Sequence, residues 1–175
     1  ISGNTVTTGI GGGLFNDSAN STTITSSTIV GNAGANILAT SNVTSFSILN
    51  SIVANSASGV NCAGAVLTSL GNNLDSANTC AFASAGDLIN TNPLLGPLAN
   101  NGGPTFTHAL LAGSPAIDAG TNTGCPATDQ RGVARPVDGD AVAGAVCDIG
   151  AYEAAALGVA DLVLILENAY YSVIS

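Results

Sequence analysis

The sequence predicts an all-β chain: a parallel β-helix, or solenoid, of about four coils over residues 1–92, an irregular disulfide-stapled cap over 93–153 and a β-prone apolar tail over 154–175. Three observations predict it. Short β-prone runs end again and again in asparagine: "ISGN" at 1–4, "IVGN" at 29–32, "IVAN" at 52–55 and "LGNN" at 70–73. The apolar residues are Ala, Val, Ile and Leu set among Gly, Ser, Thr and Asn, with no Trp or Met, which is the vocabulary of strands and tight turns. All the prolines, 93, 97, 104, 115, 126 and 136, lie after the repeats, where the chain must leave a regular coil.

The coils come first. Asn4, Asn32, Asn55 and Asn72 are 28, 23 and 17 residues apart, a loose period with the runs "STTITSSTIV", "VTSFSILNSIV" and "GAVLTSL" between them. Gly or Asn interrupts each run before an amphipathic helix could form. One such unit cannot bury its own apolar face, whereas stacked units can. Asn at a fixed corner tolerates the left-handed backbone, and amides stacked at strand spacing hydrogen-bond from coil to coil, so the four asparagines are expected to form a ladder. A glycan-binding row of Asn is the functional alternative. At ~4.8 Å per coil the stack would be roughly 20 Å tall, short for a polysaccharide groove. "GGGLF" at 11–15 is read as a close turn entering a strand, because neither a following helix nor a Lys supports a phosphate loop. Asn16, Asn20 and Asn42 begin N-x-S/T sequons, which arise easily in so Ser- and Thr-rich a chain.

Charge narrows the partners. The net charge is −9, with two arginines and no lysine, so nucleic acid and anionic membrane surfaces are excluded as partners. Cys62, Cys80, Cys125 and Cys147 show no CxxC spacing and no histidine cluster for zinc, and imply two disulfides in an oxidising, extracellular or cell-surface compartment. Pairing of neighbours, 62 with 80 and 125 with 147, is one of three connectivities. The chain carries neither an initiator Met nor a signal peptide, and reads as a matured or excised piece of a longer precursor.

In the cap, the scarce charges gather: Asp118, Asp129, Arg131, Arg135, Asp148 and Glu153 lie within "SPAIDAG", "DQRGVARP" and "CDIGAYE". Two arginines among many acids are best used as forks that tie loops together, so these residues are expected to lock a lid over the open end of the coils. The catalytic alternative would need paired carboxylates on successive coils and an aromatic platform for sugar rings. His108 is read as a packed or hydrogen-bonded histidine rather than a general base. Asp138 and Asp140, with Asp148 nearby, are a weak calcium candidate lacking the remaining acids of a full site. No cofactor is expected.

The stretch "DLINTNPLLGPLANNGGPTFTHALLAGSPAIDAG" at 87–120, followed by "CPATDQRGVARP" and "CDIGAYE", resembles the C-terminal region of the bacterial surface proteins known as choice-of-anchor Q domain proteins. The resemblance spans residues 1–153, generic in the coils and specific from 87 onward. It implies a right-handed parallel β-helix in a secreted or surface-displayed protein, with no established catalytic activity and no catalytic residues to carry over. After Glu153 the sequence departs from that pattern: "AAALGVADLVLILENAYYSVIS" stands where a linker and anchor would follow.

In the tail, "LVLIL" and "AYYSVIS" are apolar β-prone runs separated by "EN", the spacing of a two-residue hairpin, although the Ala and Leu content also allows a helix over 154–166. The tail is too short and lacks the basic flanks for membrane insertion. Because "ISGN" matches a coil motif, Ile1 is read as part of an unfinished coil, and a strand carrying Leu162, Leu164, Leu166, Tyr170, Tyr171 and Val173 could complete the coil of a neighbour. The expected function is therefore a non-catalytic subunit that assembles head to tail with itself into a surface filament. A monomeric adhesin or stalk that meets glycans or other cells is the first alternative. A carbohydrate-binding or polysaccharide-degrading β-helix is the second.

Overall fold

The computed structural model describes residues 1–6, 11–57, 60–64, 67–142 and 144–156, and among them the chain is all-β, without helices. The expected strand of Leu162, Leu164, Leu166, Tyr170, Tyr171 and Val173 lies outside the described residues.

The chain visits three sheets in rotation. A first round places β1 (Gly11–Asn16), β2 (Ser21–Thr25) and β3 (Thr28–Val30), one strand in each sheet. A second round adds β4 (Ala35–Ala39), β5 (Ser45–Leu49) and β6 (Ile52–Ala54), and a third adds β7 (Cys62–Gly64), β8 (Thr68–Ser69) and β9 (Leu74–Asp75). Each strand pairs in parallel with the strand three places on, giving the sheets β1-β4-β7, β2-β5-β8 and β3-β6-β9, the last extended by β10 (Leu88–Ile89). A separate antiparallel ribbon joins β11 (Leu95–Ala99) to β12 (Thr107–Leu110), and Pro97 sits at its register irregularity, where no ladder N–H is required.

Alternation along the strands sorts the apolar residues into two clusters. Ile24, Ile29, Ile37, Phe46, Ile48 and Val53, drawn from all three sheets, pack into one interior. Their immediate neighbours in β3 and β6, Val30, Ile52 and Ala54, face the other way and join Leu74, Leu110, Ala116 and Ile149 in a second cluster. The β3-β6-β9 sheet is thus covered on both faces, which is why every residue of "TIV" and "IVA" is buried, the one polar side chain, Thr28, taking Ala151 N on its hydroxyl.

The register differs by one residue from the motif alignment read in the sequence. Thr28 lies opposite Ile52, so Ile29 meets Val53 rather than Ile52. Asn55 therefore lies level with Gly31, one place before the position of Asn32. Gly3, Gly31 and Asn55 share one left-handed corner, with φ of 67°, 65° and 50°. Ser26, Asn50, Asn72 and Gly86 share another, each two residues ahead of the aligned Thr28, Ile52, Leu74 and Leu88.

The region expected to close the end of the stack lies along its flank instead. Gly150 N donates to Asn50 O at 2.8 Å and Ala151 N to Thr28 Oγ1 at 3.0 Å, while Asn72 Nδ2 donates to Ala119 O at 2.9 Å, so the C-terminal segment crosses three successive rounds. A Cβ at Gly150 would meet Thr28 Oγ1 at 2.8 Å and Ile52 Cδ1 at 2.9 Å, so this close approach requires glycine. The physical reason for the placement is the apolar outer face of β3, β6 and β9, whose Val30, Ile52, Ala54 and Leu74 are buried together with Ala116 and Ile149. Closure at the last round comes from residues 76–87. Cys80 and Phe82 complete the interior cluster, Thr79 Oγ1 accepts Asn61 N at 2.8 Å, and Ser84 Oγ donates to Ser69 O at 2.8 Å. The Cys62–Cys80 disulfide fastens this segment to β7, and Cys125–Cys147 fastens the flank.

Candidate functional site

Two buried polar systems run through the molecule. In the first, at the corner after β3 and β6, Asn4 donates to Asn32 Oδ1 at 2.8 Å, Asn32 to Asn36 Oδ1 at 2.8 Å, Asn36 to Asn61 Oδ1 at 2.9 Å and Asn61 to Asp75 Oδ1 at 2.7 Å. Every donation points the same way. Asp75 ends the chain as an acceptor-only carboxylate, whose oxygens also take Ala77 N and Cys80 N from the closing segment. At the corner before β3, Ser27 N donates to Ser51 Oγ, Ser51 N to Asn73 Oδ1 and Asn73 N to Asp87 Oδ1, again in one direction and again ending on aspartate.

Of the four asparagines expected in one ladder, Asn4 and Asn32 are joined, and Asn55 and Asn72 are not in line with them. The exposed Asn55 binds Ser76 Oγ through its backbone N–H, and the Asn72 side chain reaches the flank segment. The residues that continue the ladder, Asn36, Asn61 and Asp75, did not stand out by motif. Their signal is an Asn directly before an inward apolar residue, "NI" at 36 and "NC" at 61, which are matched in register.

The second system ties the flank. Asp129 accepts Arg131 N at 2.8 Å and Val133 N at 3.0 Å on Oδ1, and Glu153 N at 3.0 Å on Oδ2, where the Arg131 guanidinium also binds at 2.7 Å. Burial works to raise this carboxyl, but the hydrogen bonds from Glu153, Arg131 and Val133 hold it below the usual carboxylate range. The Arg131 guanidinium lies 3.5 Å from the centre of the Tyr152 ring and also donates to Glu153 O. Arg135 donates to Asp148 O at 3.2 Å and Gly150 O at 2.8 Å, and its Nε stands 3.3 Å from Glu153 Oε2, an ion pair without hydrogen-bond geometry.

Glu153 accepts Val137 N and Asp148 N, and Asp148 accepts Asp118 N and Ala154 N. Burial pushes the Asp148 carboxyl up to about 7 and raises Glu153 as well. Asp148 and Glu153 are fully buried, and Asp129 keeps only 7% of its surface. None of the three is placed to touch a substrate, as a general acid or base must.

Two expectations need correction. Asp118 and Asp148, expected to pair with the arginines, do not: Asp148 accepts Asp118 N and Ala154 N, and Asp118 accepts Gly139 N, Asp140 N and Val146 N, so backbone donors close to each carboxylate take the place of a guanidinium. The acid that stands with Asp138 and Asp140 is Asp118, not Asp148, their nearest oxygens all within 4.8 Å. These donors already occupy the oxygens of Asp118, so the cluster reads as a closed turn. His108 directs Nδ1 to Gly96 O at 2.8 Å, across the β11–β12 ribbon. Asn16 is buried, whereas Asn20 and Asn42 are exposed.

Comparison with protein-family models, curated proteins and solved structures finds no match.

Proposed function

We propose that this chain is a non-catalytic structural module of an extracellular surface, a right-handed parallel β-helix whose C-terminal segment laces its rounds together along one flank. The observation that carries this reading is the one-way amide chain from Asn4 to Asp75, since a ladder that is buried from Asn32 onward serves stacking and offers nothing to a substrate. Three parallel sheets visited in rotation support a helical winding, and β-crossovers are right-handed in nearly all known cases. The acids and arginines that could have formed a catalytic centre are spent on one another and on backbone N–H groups. Two disulfides suit an oxidising compartment, and no described helix is long and apolar enough to cross a membrane. The motifs of residues 87–153 support kinship with choice-of-anchor Q domain proteins.

Whether the module is a stalk or a filament subunit turns on its two ends. Asp75, Asp87 and residues 76–87 close the last round, which favours a stalk or adhesin closed at that end. One observation favours the filament: among the described residues β1 and β2 each pair along one edge only, and such an edge accepts an added strand. Light scattering and negative-stain microscopy over a concentration series test this. Monodisperse particles at every concentration would remove the filament, whereas chains that lengthen with concentration and vanish on truncation after residue 156 would establish it. Release of reducing ends or unsaturated sugars from a polysaccharide panel would overturn the non-catalytic reading.

A further inference from the structure

Residues 76–87, which close the last round, meet the two strands that end their sheets. β7 and β8 each have one strand partner among the described residues. Thr79 Oγ1 accepts Cys62 N at 3.3 Å on β7, and Ser84 Oγ donates to Ser69 O at 2.8 Å on β8. Cys80 and Phe82 are buried in the interior cluster beneath. Between them Ala81 has a φ of 54°, a left-handed conformation that alanine adopts only where its surroundings impose it. Ala81 is exposed, so packing of its methyl group does not offset that strain. Beside it lies a cavity of about 180 Å³, lined by both cysteines of the Cys62–Cys80 disulfide and by Gly64, Leu67, Thr79 and Ala81 among others. Gly64, Thr79 and Ala81 are exposed, so the cavity is reached from solvent, and Cys62 is half-buried where Cys80 is buried.

We propose that the Cys62–Cys80 disulfide is a reducible latch, and that a small thiol entering this cavity frees residues 76–87 as a lid while the earlier rounds stay folded. The incoming thiolate attacks Cys62 Sγ, the S–S bond breaks, and Cys80 leaves as a thiolate that takes up a proton. A second thiolate attacks the first thiol's sulfur in the mixed disulfide and releases Cys62, so two thiols are oxidised to one disulfide as both cysteines are reduced. The strain at Ala81 is relieved when the segment lets go, which makes the lid the part that gives way. The ladder from Asn4 to Asp75 runs through side chains outside the segment and stays in place. Opening bares the outer edges of β7 and β8, and a bare edge accepts a further strand.

The test places the intact chain in cysteamine and cystamine at graded ratios, a small cationic thiol being suited to a chain of net charge −9. Differential alkylation with mass spectrometry counts each freed cysteine, and amide hydrogen exchange follows the backbone. Cys62 and Cys80 should be freed together, ahead of Cys125 and Cys147. Residues 76–87 should then exchange roughly tenfold faster or more, while Thr28–Val30 and Ile52–Ala54 keep their protection, and excess cystamine should reverse both changes. Ala81→Gly removes the strain at an exposed position, so its equilibrium constant for reduction should fall roughly fivefold. The proposal fails if Cys125 and Cys147 are freed first, if reduction unfolds all rounds together, if residues 76–87 stay protected once Cys62 and Cys80 are free, or if Ala81→Gly is reduced as readily as the parent. The structural role proposed above is judged by the particle-size and polysaccharide measurements instead, so the two can fail separately.

Discussion

Asn61 donates from Nδ2 to Asp75 Oδ1 at 2.7 Å, at most 1% of either residue is exposed, and the amide chain of that corner ends there. Truncating Asn61 to Ala would remove one hydrogen bond from Asn36 Nδ2 and one from Asp75, both buried, at a cost of about 3 kcal/mol in guanidinium unfolding. Asn55→Gly, at an exposed left-handed corner, should change stability by no more than about 0.5 kcal/mol. Equal effects of the two substitutions would show that the ladder carries no special weight.

Stability should fall as pH rises toward neutrality. Burial raises Asp148 to about 7 and lifts Glu153 above its ordinary value, so each holds its proton in the folded state after the unfolded chain has lost it. Unfolding in that window releases protons, so the contribution of Asp148 is largest below the ordinary carboxylate range and lost as pH climbs through about 7, while that of Glu153 is lost as pH climbs through its own raised value. Asp129 has the opposite sign: its carboxyl is held low, so its contribution is lost only as pH falls through the folded value. Melting temperatures measured between pH ~4 and ~8 should decline with pH, and Asp148→Asn should flatten the slope. A melting temperature that rises across this range would contradict the assignment.

Arg135→Met should destabilise by about 3–5 kcal/mol, because Glu153 would remain buried without its cation. Adding Glu153→Gln to that variant should recover part of the loss. Arg131→Ala should cost less, about 1–2 kcal/mol, since its partner Asp129 keeps three backbone donors. Urea titration of the three variants measures the ranking, and a larger loss for Arg131→Ala would reverse the assignment of which arginine is the central tie.

Replacing Cys62 and Cys80 together by Ser should lower stability by about 3 kcal/mol. The same change should open residues 76–87 to protease, because Cys80 and Phe82 seal the interior there. Cleavage confined to the flank segment would instead place the weak point around Cys125–Cys147.

Much of this architecture can be read from residues whose role is local. Asn, Gly and Ser at corners, β-prone runs between them and a shortage of cations all speak directly of turns, strands and tied loops. What cannot be read is whatever depends on register. "IVGN" and "IVAN" look equivalent, yet Thr28 stands opposite Ile52, and that one-residue offset takes Asn55 out of the ladder. Asn36 and Asn61 lie in unremarkable surroundings and become partners only when β4 and β7 stack. The flank position of Ala116 and Ile149 is likewise hidden, because nothing near them in sequence mentions the second apolar face of β3 and β6, which lies about a hundred residues away.

Asp75 and Asp87 act as full stops, and in the β-helix proposed above they leave the number of rounds written before them adjustable. Thr28 and Ile52 align across 24 residues, so a spliced segment of that length, carrying its own corner Asn and Ser, would lengthen such a β-helix by one strand spacing of ~4.8 Å and leave the terminal sentence intact. Evolution or an engineer could set the reach of a β-helix of this kind by copying interior text, as long as the two aspartates stay last.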